Sequence, residues 1–385
     1  MMQTVPQTPY YVFDSEVFAE SVRKVQNALP GIPLVYSIKA NPFILTGPLP
    51  DEITRFEVCS PGELSIVERL HISPEKVLYS GVMKELADIR EAIRYGSGIL
   101  TAESIRHVEL LEEGAECESV SGKLNVILRF SAGSQFGMSE EDLLDVLTNK
   151  EKYKHLNFMG LHYFSGTGKT RGKKIEKDLK EVREILAVLK EKTGFHPEIV
   201  EYGAGFAVEY FNPPLQDKDD QILNEAAPLL RAFAEEYPLS VEMGRYFAAT
   251  CGEYHTAICD IKSNRGVNYV ILDGGMHQVN YFGQMMAMKM PPVRQEKKRD
   301  GEEEIYTLCG SLCTTADVLA RDINLSPLEI GDELVFERTG AYSAMEAPAL
   351  FLSRRLPELW LDTGSELKLI RGADAADVIN VPLES

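Results

Sequence analysis

From residue 34 onward the apolar residues fall into two rhythms that take turns along the chain. Short runs rich in Val, Ile, Leu and Tyr at 34–38, 76–79, 98–101, 124–130, 159–163, 199–202 and 239–242 have the length and content of buried strands. Stretches 61–70, 85–95, 104–113, 140–148, 173–193 and 220–236 space their apolar positions three and four apart, as one face of an α-helix does. About eight strands separated by helices predict a parallel α/β barrel rather than several small domains. After residue 247 the helical rhythm gives way to β-type runs at 254–260, 268–272, 304–309, 333–337 and 367–370, with turns rich in Gly, Pro and Asp. This predicts a mainly antiparallel β domain. Residues 8–14 form a lone strand-like piece ahead of the barrel, placed to return and pair with that sheet.

Composition adds boundaries. The 385 residues, 44% hydrophobic and 26% charged, suit a globular protein of two domains. A net charge of −19 with no long Lys/Arg tract argues against nucleic acid and anionic membranes as partners. The polar residues 1–9 lack the pattern of a signal peptide, and no apolar run reaches about 18 residues, so a cytoplasmic protein is expected. Six scattered cysteines suit reduced thiols better than a disulfide framework. Cys309 and Cys313 have no second Cys/His pair after them, so no metal site is expected. The charged stretches 169–177 and 294–304 read as solvated surface.

Six motifs could carry chemistry, and each has an ordinary structural reading beside the functional one. Lys39 stands at the end of strand 34–38, where a barrel presents its active site. Burial would lower its ammonium pKa toward what a Schiff-base lysine needs, but a structural ion pair would equally explain it. His162, at another strand end, leads to Ser165 and Gly166. The following Gly166-Thr167-Gly168-Lys169-Thr170 imitates a P-loop but has Tyr163 where the first glycine belongs. Gly203-Ala204-Gly205 could cradle a phosphate with its N–H groups, although Val208 breaks a dinucleotide fingerprint. Glu242 and Arg245 could pair with each other or hold two ends of one ligand. Cys309 and Cys313 read also as small buried hydrophobes, and Tyr342 as an ordinary aromatic.

Taken in order, these motifs resemble the fold-type III pyridoxal-phosphate decarboxylases, the family of ornithine, arginine and diaminopimelate decarboxylases. The likeness runs from Tyr10 to Leu352. Asp273-Gly274-Gly275-Met276-His277, the stretch 280–284 and the stretch 309–320 are most similar to one subgroup. It holds the decarboxylase of carrier-protein-bound glutamate in butirosin biosynthesis and the exosortase-associated decarboxylases. The resemblance implies an alanine-racemase-like (β/α)8 barrel at 25–247, followed by a C-terminal mainly antiparallel β domain made of 1–24 and 248–385. It implies pyridoxal 5'-phosphate held as a Schiff base on Lys39, with His162 stacked on the ring and Glu242 paired with the ring nitrogen. Ser165, Gly203, Ala204, Gly205, Arg245 and Tyr342 would hold the phosphate. Glu57, where the family more often has Asp, and Arg129 would lie near the cofactor. Cys313 would reprotonate the substrate carbon from the partner subunit of a homodimer with shared active sites, and Thr314 and Asp317 would face the substrate.

One departure narrows the substrate. Relatives that act on ornithine or diaminopimelate have an acidic residue directly after this cysteine, where this chain has neutral Thr314. The expected substrate is therefore an amino acid without a distal cation, and the subgroup adds tethering to an acyl carrier protein, which the basic stretch 169–177 could meet. The alternative substrates are diaminopimelate or other basic amino acids. The alternative roles are a racemase, which would use a β-domain tyrosine without Cys-Gly-x-x-Cys, and a non-catalytic cofactor-binding regulator, which would have lost cofactor-binding positions.

Overall fold

In the computed structural model, residues 5–211, 218–351, 355–376 and 381 are described. Residues 1–4 of the N-terminal stretch and Leu352, where the family likeness ends, lie outside them.

The chain begins with β1 (Tyr10–Asp14), whose last residue caps the first helix: Asp14 accepts from Glu16 N and Val17 N at 2.8 and 3.0 Å. Helix α1 (Ser15–Ala28) leads into eight parallel strands. These are β2 (Leu34–Ser37), β3 (Ile53–Val58), β4 (Val77–Tyr79), β5 (Ile99–Ala102), β6 (Leu124–Phe130), β7 (Leu156–Tyr163), β8 (Ile199–Gly203) and β9 (Leu239–Met243). Helices α2 (Pro61–Arg69), α3 (Leu86–Tyr95), α4 (Ile105–Cys117), α5 (Glu140–Thr148), α6 (Gly172–Thr193) and α7 (Lys218–Ala234) return between strands from β3 to β9, and a short α8 (Arg245–Ala248) follows β9. Each strand pairs with the next, and β9 pairs with β2 to close the barrel.

Beyond the barrel, β10 (Gly252–Asn264), β11 (Val267–Leu272), β12 (Val293–Gln295), β13 (Glu304–Cys309), β14 (Val318–Leu325), β15 (Glu333–Phe336), β16 (Glu358–Asp362) and β17 (Leu367–Arg371) form one sheet with β1. It is mainly antiparallel; β1 with β16 and β11 with β13 are parallel. The lone N-terminal strand does return, lying between β10 and β16.

Four strands escaped the periodicity reading. In β3, Thr54, Arg55 and Glu57 interrupt the apolar run, because its inner face supplies charge to the barrel mouth. Strand β12 has only three residues, β14 is broken by the exposed charges Arg321 and Asp322, and β16 is bounded by Glu358 and Asp362. Lys39 sits just beyond β2, on a 3-10 turn spanning Ile38–Ala40. Among the described residues no helix is long and apolar enough to cross a membrane.

Candidate active site

Parallel strands place their carboxyl ends on one face, and the inward side chains there converge. Register puts Glu57 opposite Ser37, His162 opposite Arg129, and Glu242 opposite Val35 and Gly203. The result is a cavity of about 520 Å³ lined by Lys39, Glu57, His162, Glu242, Arg245 and Tyr342 among others. Lys39 Nζ lies 2.9 Å from Glu57 Oε2 and 3.1 Å from Cys59 Sγ. Ser37 Oγ reaches both Glu57 Oε2, at 2.5 Å, and Glu242 Oε1, at 2.7 Å. His162 Nε2 is 3.3 Å from Glu242 Oε2, in an orientation that leaves both ring nitrogens and that oxygen without a hydrogen bond.

The second half of the cavity suits an anion. Gly205 has φ +60°, and a Cβ there would stand 2.1 Å from Gly166 O; a Cβ on Gly203 would meet the Phe164 ring at 2.6 Å. Only glycine lets this turn lie so close to the strap that follows β7. Lys169 N donates to Gly205 O and Ala207 N to Lys169 O, both at 2.9 Å, fastening the two segments. Arg245 lies 4.5 Å from the Tyr342 ring and 4.6 Å from that of Phe282, donates to Tyr210 Oη at 3.0 Å, and keeps a buried Nε without a partner. Tyr342, at φ +66°, is tied to the turn that carries Lys39 by its own N–H, which donates to Ala40 O at 2.7 Å, and lines the same cavity. Burial pushes its hydroxyl up to about 12, against the pull of Lys39 and Arg245.

Charge in this site corrects one expectation. Burial does press the Lys39 ammonium toward neutrality, but Glu57, Cys59 and Glu242 overcome it, and the pKa stands well above the usual lysine value. Glu57 shows the mirror image: burial works to raise its pKa, and the neighbouring Lys39, helped by Ser37, holds it far below the usual range. Before any cofactor binds, Lys39 is therefore an ion-paired cation.

Not every expected residue meets the cavity. Ser165 is exposed and donates to Asp178 Oδ2 at 2.8 Å. Arg129 pairs with Glu103 at 2.7 Å and lies over the Phe136 ring at 4.9 Å, on the cavity wall. Asp317 is not among the lining residues: its buried carboxylate accepts from Met276 N at 2.8 Å and Leu312 N at 2.9 Å, which organises its own loop. Cys313 and Thr314 are exposed on that loop and do not line this chain's cavity. Cys313 is thus no small buried hydrophobe. Lys169 departs from the solvated reading of its stretch: it is buried, 2.7 Å from Asp178 Oδ2, while Arg171, Lys173, Lys174 and Lys177 are exposed.

The motifs also passed over residues that matter. Ser37 joins the two central glutamates, and its signal was a polar residue inside an apolar strand run. Glu103 neutralises Arg129 in the wall. Glu201, fully buried one step below Glu242, accepts from Ser240 Oγ. Glu346, an exposed carboxylate, lines the mouth.

A barrel with an ion-paired lysine at its carboxyl end, a glycine-lined anion cradle and an acid beside a histidine suits an enzyme that holds a phosphorylated aldehyde on an amine. Residues 16–249 match the family model described as pyridoxal-dependent decarboxylase, pyridoxal binding domain. The chain belongs to this family, and its cofactor is pyridoxal 5'-phosphate. It is 28% identical to the L-glutamyl-[BtrI acyl-carrier protein] decarboxylase of Niallia circulans, over 97% of this chain and 93% of the relative. It is 27% identical to the diaminopimelate decarboxylase of Zymomonas mobilis, over 94% and 90%. The fold matches that of diaminopimelate decarboxylase from M. jannaschii with a TM-score of 0.81 at 21% identity, over 96% and 90%. The residues present fit the cofactor: Lys39 offers the amine, Glu242 Oε2 an unused acceptor for a ring N–H, and Arg245 Nε an unused donor beside the cradle.

Proposed function

We infer that this decarboxylase removes the α-carboxyl group of an amino acid without a distal cation, presented on an acyl carrier protein, in a homodimer with shared sites. The chemistry available from bound pyridoxal phosphate is an aldehyde that condenses with amines and a ring that accepts the electron pair left by departing CO₂. Lys39 would hold the aldehyde through its amine. Glu242 would keep a proton at the ring nitrogen, which makes the ring the better electron acceptor. His162 would pack against the ring and exclude water. Arg245, Tyr342 and the Gly203-Ala204-Gly205 backbone would hold the phosphate, without Ser165, whose hydroxyl is spent on Asp178. The partner subunit's Cys313 delivers the proton to the substrate carbon, with Thr314 beside the substrate; Cys313 of the same chain stands outside its own cavity.

The observation that carries the substrate reading is Thr314, neutral and next to the acid that reprotonates carbon, in a chain similar over nearly its whole length to a carrier-protein glutamate decarboxylase. The exposed lysines on the first turns of α6 stand on the barrel face that holds the cavity mouth and complement an acidic carrier. Glu346 at the mouth favours a second reading, a free basic amino acid such as diaminopimelate. CO₂ release by the pyridoxal-phosphate-loaded protein separates the two. Release from glutamate on a carrier protein, with free diaminopimelate, ornithine and lysine inert, supports the first; rapid release from those free substrates establishes the second.

A further inference from the structure

Just outside the cavity, one buried carboxylate gathers both segments that form the anion cradle. Asp178, on the second turn of α6, accepts at Oδ2 from Ser165 Oγ at 2.8 Å, from Tyr202 Oη at 2.8 Å and from Lys169 Nζ at 2.7 Å. Ser165 and Lys169 belong to the strap that follows β7, and Tyr202 directly precedes Gly203 on β8. One turn further along α6, Glu181 accepts from Tyr163 Oη at the end of β7. The strap and the turn after β8 also meet through their backbones, at Lys169 N to Gly205 O and Ala207 N to Lys169 O. Asp178, Lys169 and Tyr202 are only 5%, 4% and 0% exposed, so their contacts are made where water offers no substitute. None of the three lines the cavity. Phe164 connects them to it: its ring lies 5.8 Å from Lys169 Nζ, lines the cavity, and leaves no room for a Cβ on Gly203.

We propose that Asp178 is the positioning residue of the phosphate cradle. It holds the strap after β7 against the end of β8, and so keeps the Gly203-Ala204-Gly205 N–H groups aimed at the cofactor's phosphate without touching it. The inference rests on the assignment of that turn to the phosphate. Such a cradle needs an outside hold, because its donors are backbone groups and its glycines have the most conformational freedom to lose. At Gly205 a Cβ would stand 2.1 Å from Gly166 O, so the turn lies directly on the strap and a shift of one is passed to the other. Donors fixed in place beforehand bind an anion more tightly than donors that must be ordered as it arrives. Ser165 then serves the phosphate through Asp178 rather than by contact.

The test compares the affinity of the apoprotein for pyridoxal 5'-phosphate and for pyridoxal, which has the same ring and aldehyde and lacks the phosphate. The ratio of the two isolates the phosphate's share of binding. Asp178→Asn keeps the side-chain shape and gives up the charge. In this variant the affinity for pyridoxal 5'-phosphate is expected to fall about tenfold, while that for pyridoxal stays within about twofold of wild type. A carboxylate that only stabilises the fold would lower the melting temperature and leave the ratio at its wild-type value; that result overturns the proposal. Where Asp178→Asn does not fold, Tyr202→Phe decides, since it removes one of the three donors and leaves the ion pair with Lys169. A fall of the ratio by about threefold supports the proposal, and an unchanged ratio overturns it. A wild-type protein that binds the two compounds equally well would remove the assignment of the cradle itself, and the proposal with it.

Discussion

The two ends of the barrel interior are made of different matter. Toward the amino ends of the strands, Leu78, Ile99, Ile127 and Ile199 close into an apolar cluster. Two residues further along the same strands stand Ser80, Thr101, Arg129 and Glu201, equally buried. Side chains alternate faces along a strand, so a step of two residues stays on the inner surface and advances about 7 Å. Within that step the lining changes from hydrocarbon to charge. The lower layer can pack to crystal-like density because nothing in it needs a partner. The upper layer leaves His162, Glu242 Oε2 and Arg245 Nε with unmet hydrogen bonds, as a surface waiting for a polar ligand does.

If the ends divide labour in this way, substitutions at each should fail differently. The largest effect belongs to Lys39. Lys39→Ala is expected to reduce CO₂ release by about four orders of magnitude, as the loss of a covalent anchor does, and to abolish borohydride trapping of pyridoxal phosphate, with the melting temperature hardly moved. Ile127→Ala should do the opposite. It removes a fully buried side chain beside Gly160 and costs about 2–5 kcal/mol of stability. Activity per folded molecule should be kept. An inactive but stable Ile127→Ala protein would end the division.

The same contrast explains what the sequence made legible. Strands β6 and β13 and helix α5 could be bounded to the residue, because their apolar positions answer only to packing. Strand β3 went unread for the reason that makes it useful: Arg55 and Glu57 face inward where an apolar residue would signal a strand. Lys39, His162, Glu242 and Arg245 stood out as motifs since each lies at or just beyond the carboxyl end of a barrel strand. Ser37 and Glu201 did not, since what they do depends on partners on other strands, 20 and 205 residues away in the chain for Ser37 and 39 for Glu201, beyond any local pattern's reach. The direction of the Lys39 pKa was misjudged for a related cause: burial is visible in one strand, but Glu57 and Glu242 arrive from two others.

Glu201 tests the boundary layer itself. Burial and the charge of Glu242 push its carboxyl up to about 8. The folded chain thus holds this proton more tightly than the unfolded chain does. The resulting stability is complete below the ordinary glutamate value and is lost as pH rises through about 8. Glu201→Gln, neutral throughout, has no such loss. In urea unfolding, wild type should fall behind the variant by about 1.4 kcal/mol for each pH unit between roughly 5 and 8, and no further beyond. A constant gap across that window would mean that Glu201 is ionised in the fold, and that charge reaches deeper into the barrel than the two-layer division allows.

The smallest expected effect lies outside the barrel, on α6, which spans both ends. At about 1.5 Å per residue its 22 residues run roughly 33 Å, from the cavity face to the apolar end. Lys173 and Lys174 are exposed at the first end, Lys190 and Lys192 at the other. Reversing either pair changes net charge equally, so long-range repulsion by this acidic protein is matched between them. Lys173→Glu with Lys174→Glu should raise KM for a carrier-bound substrate several-fold, most at low salt, and leave kcat unchanged. Lys190→Glu with Lys192→Glu should not, since beyond a Debye length of about 10 Å the charge is screened from the mouth. Equal effects from the two pairs would reduce the mouth lysines to ordinary surface charge; a KM shift confined to the first pair places the carrier on the same end of the barrel as the chemistry.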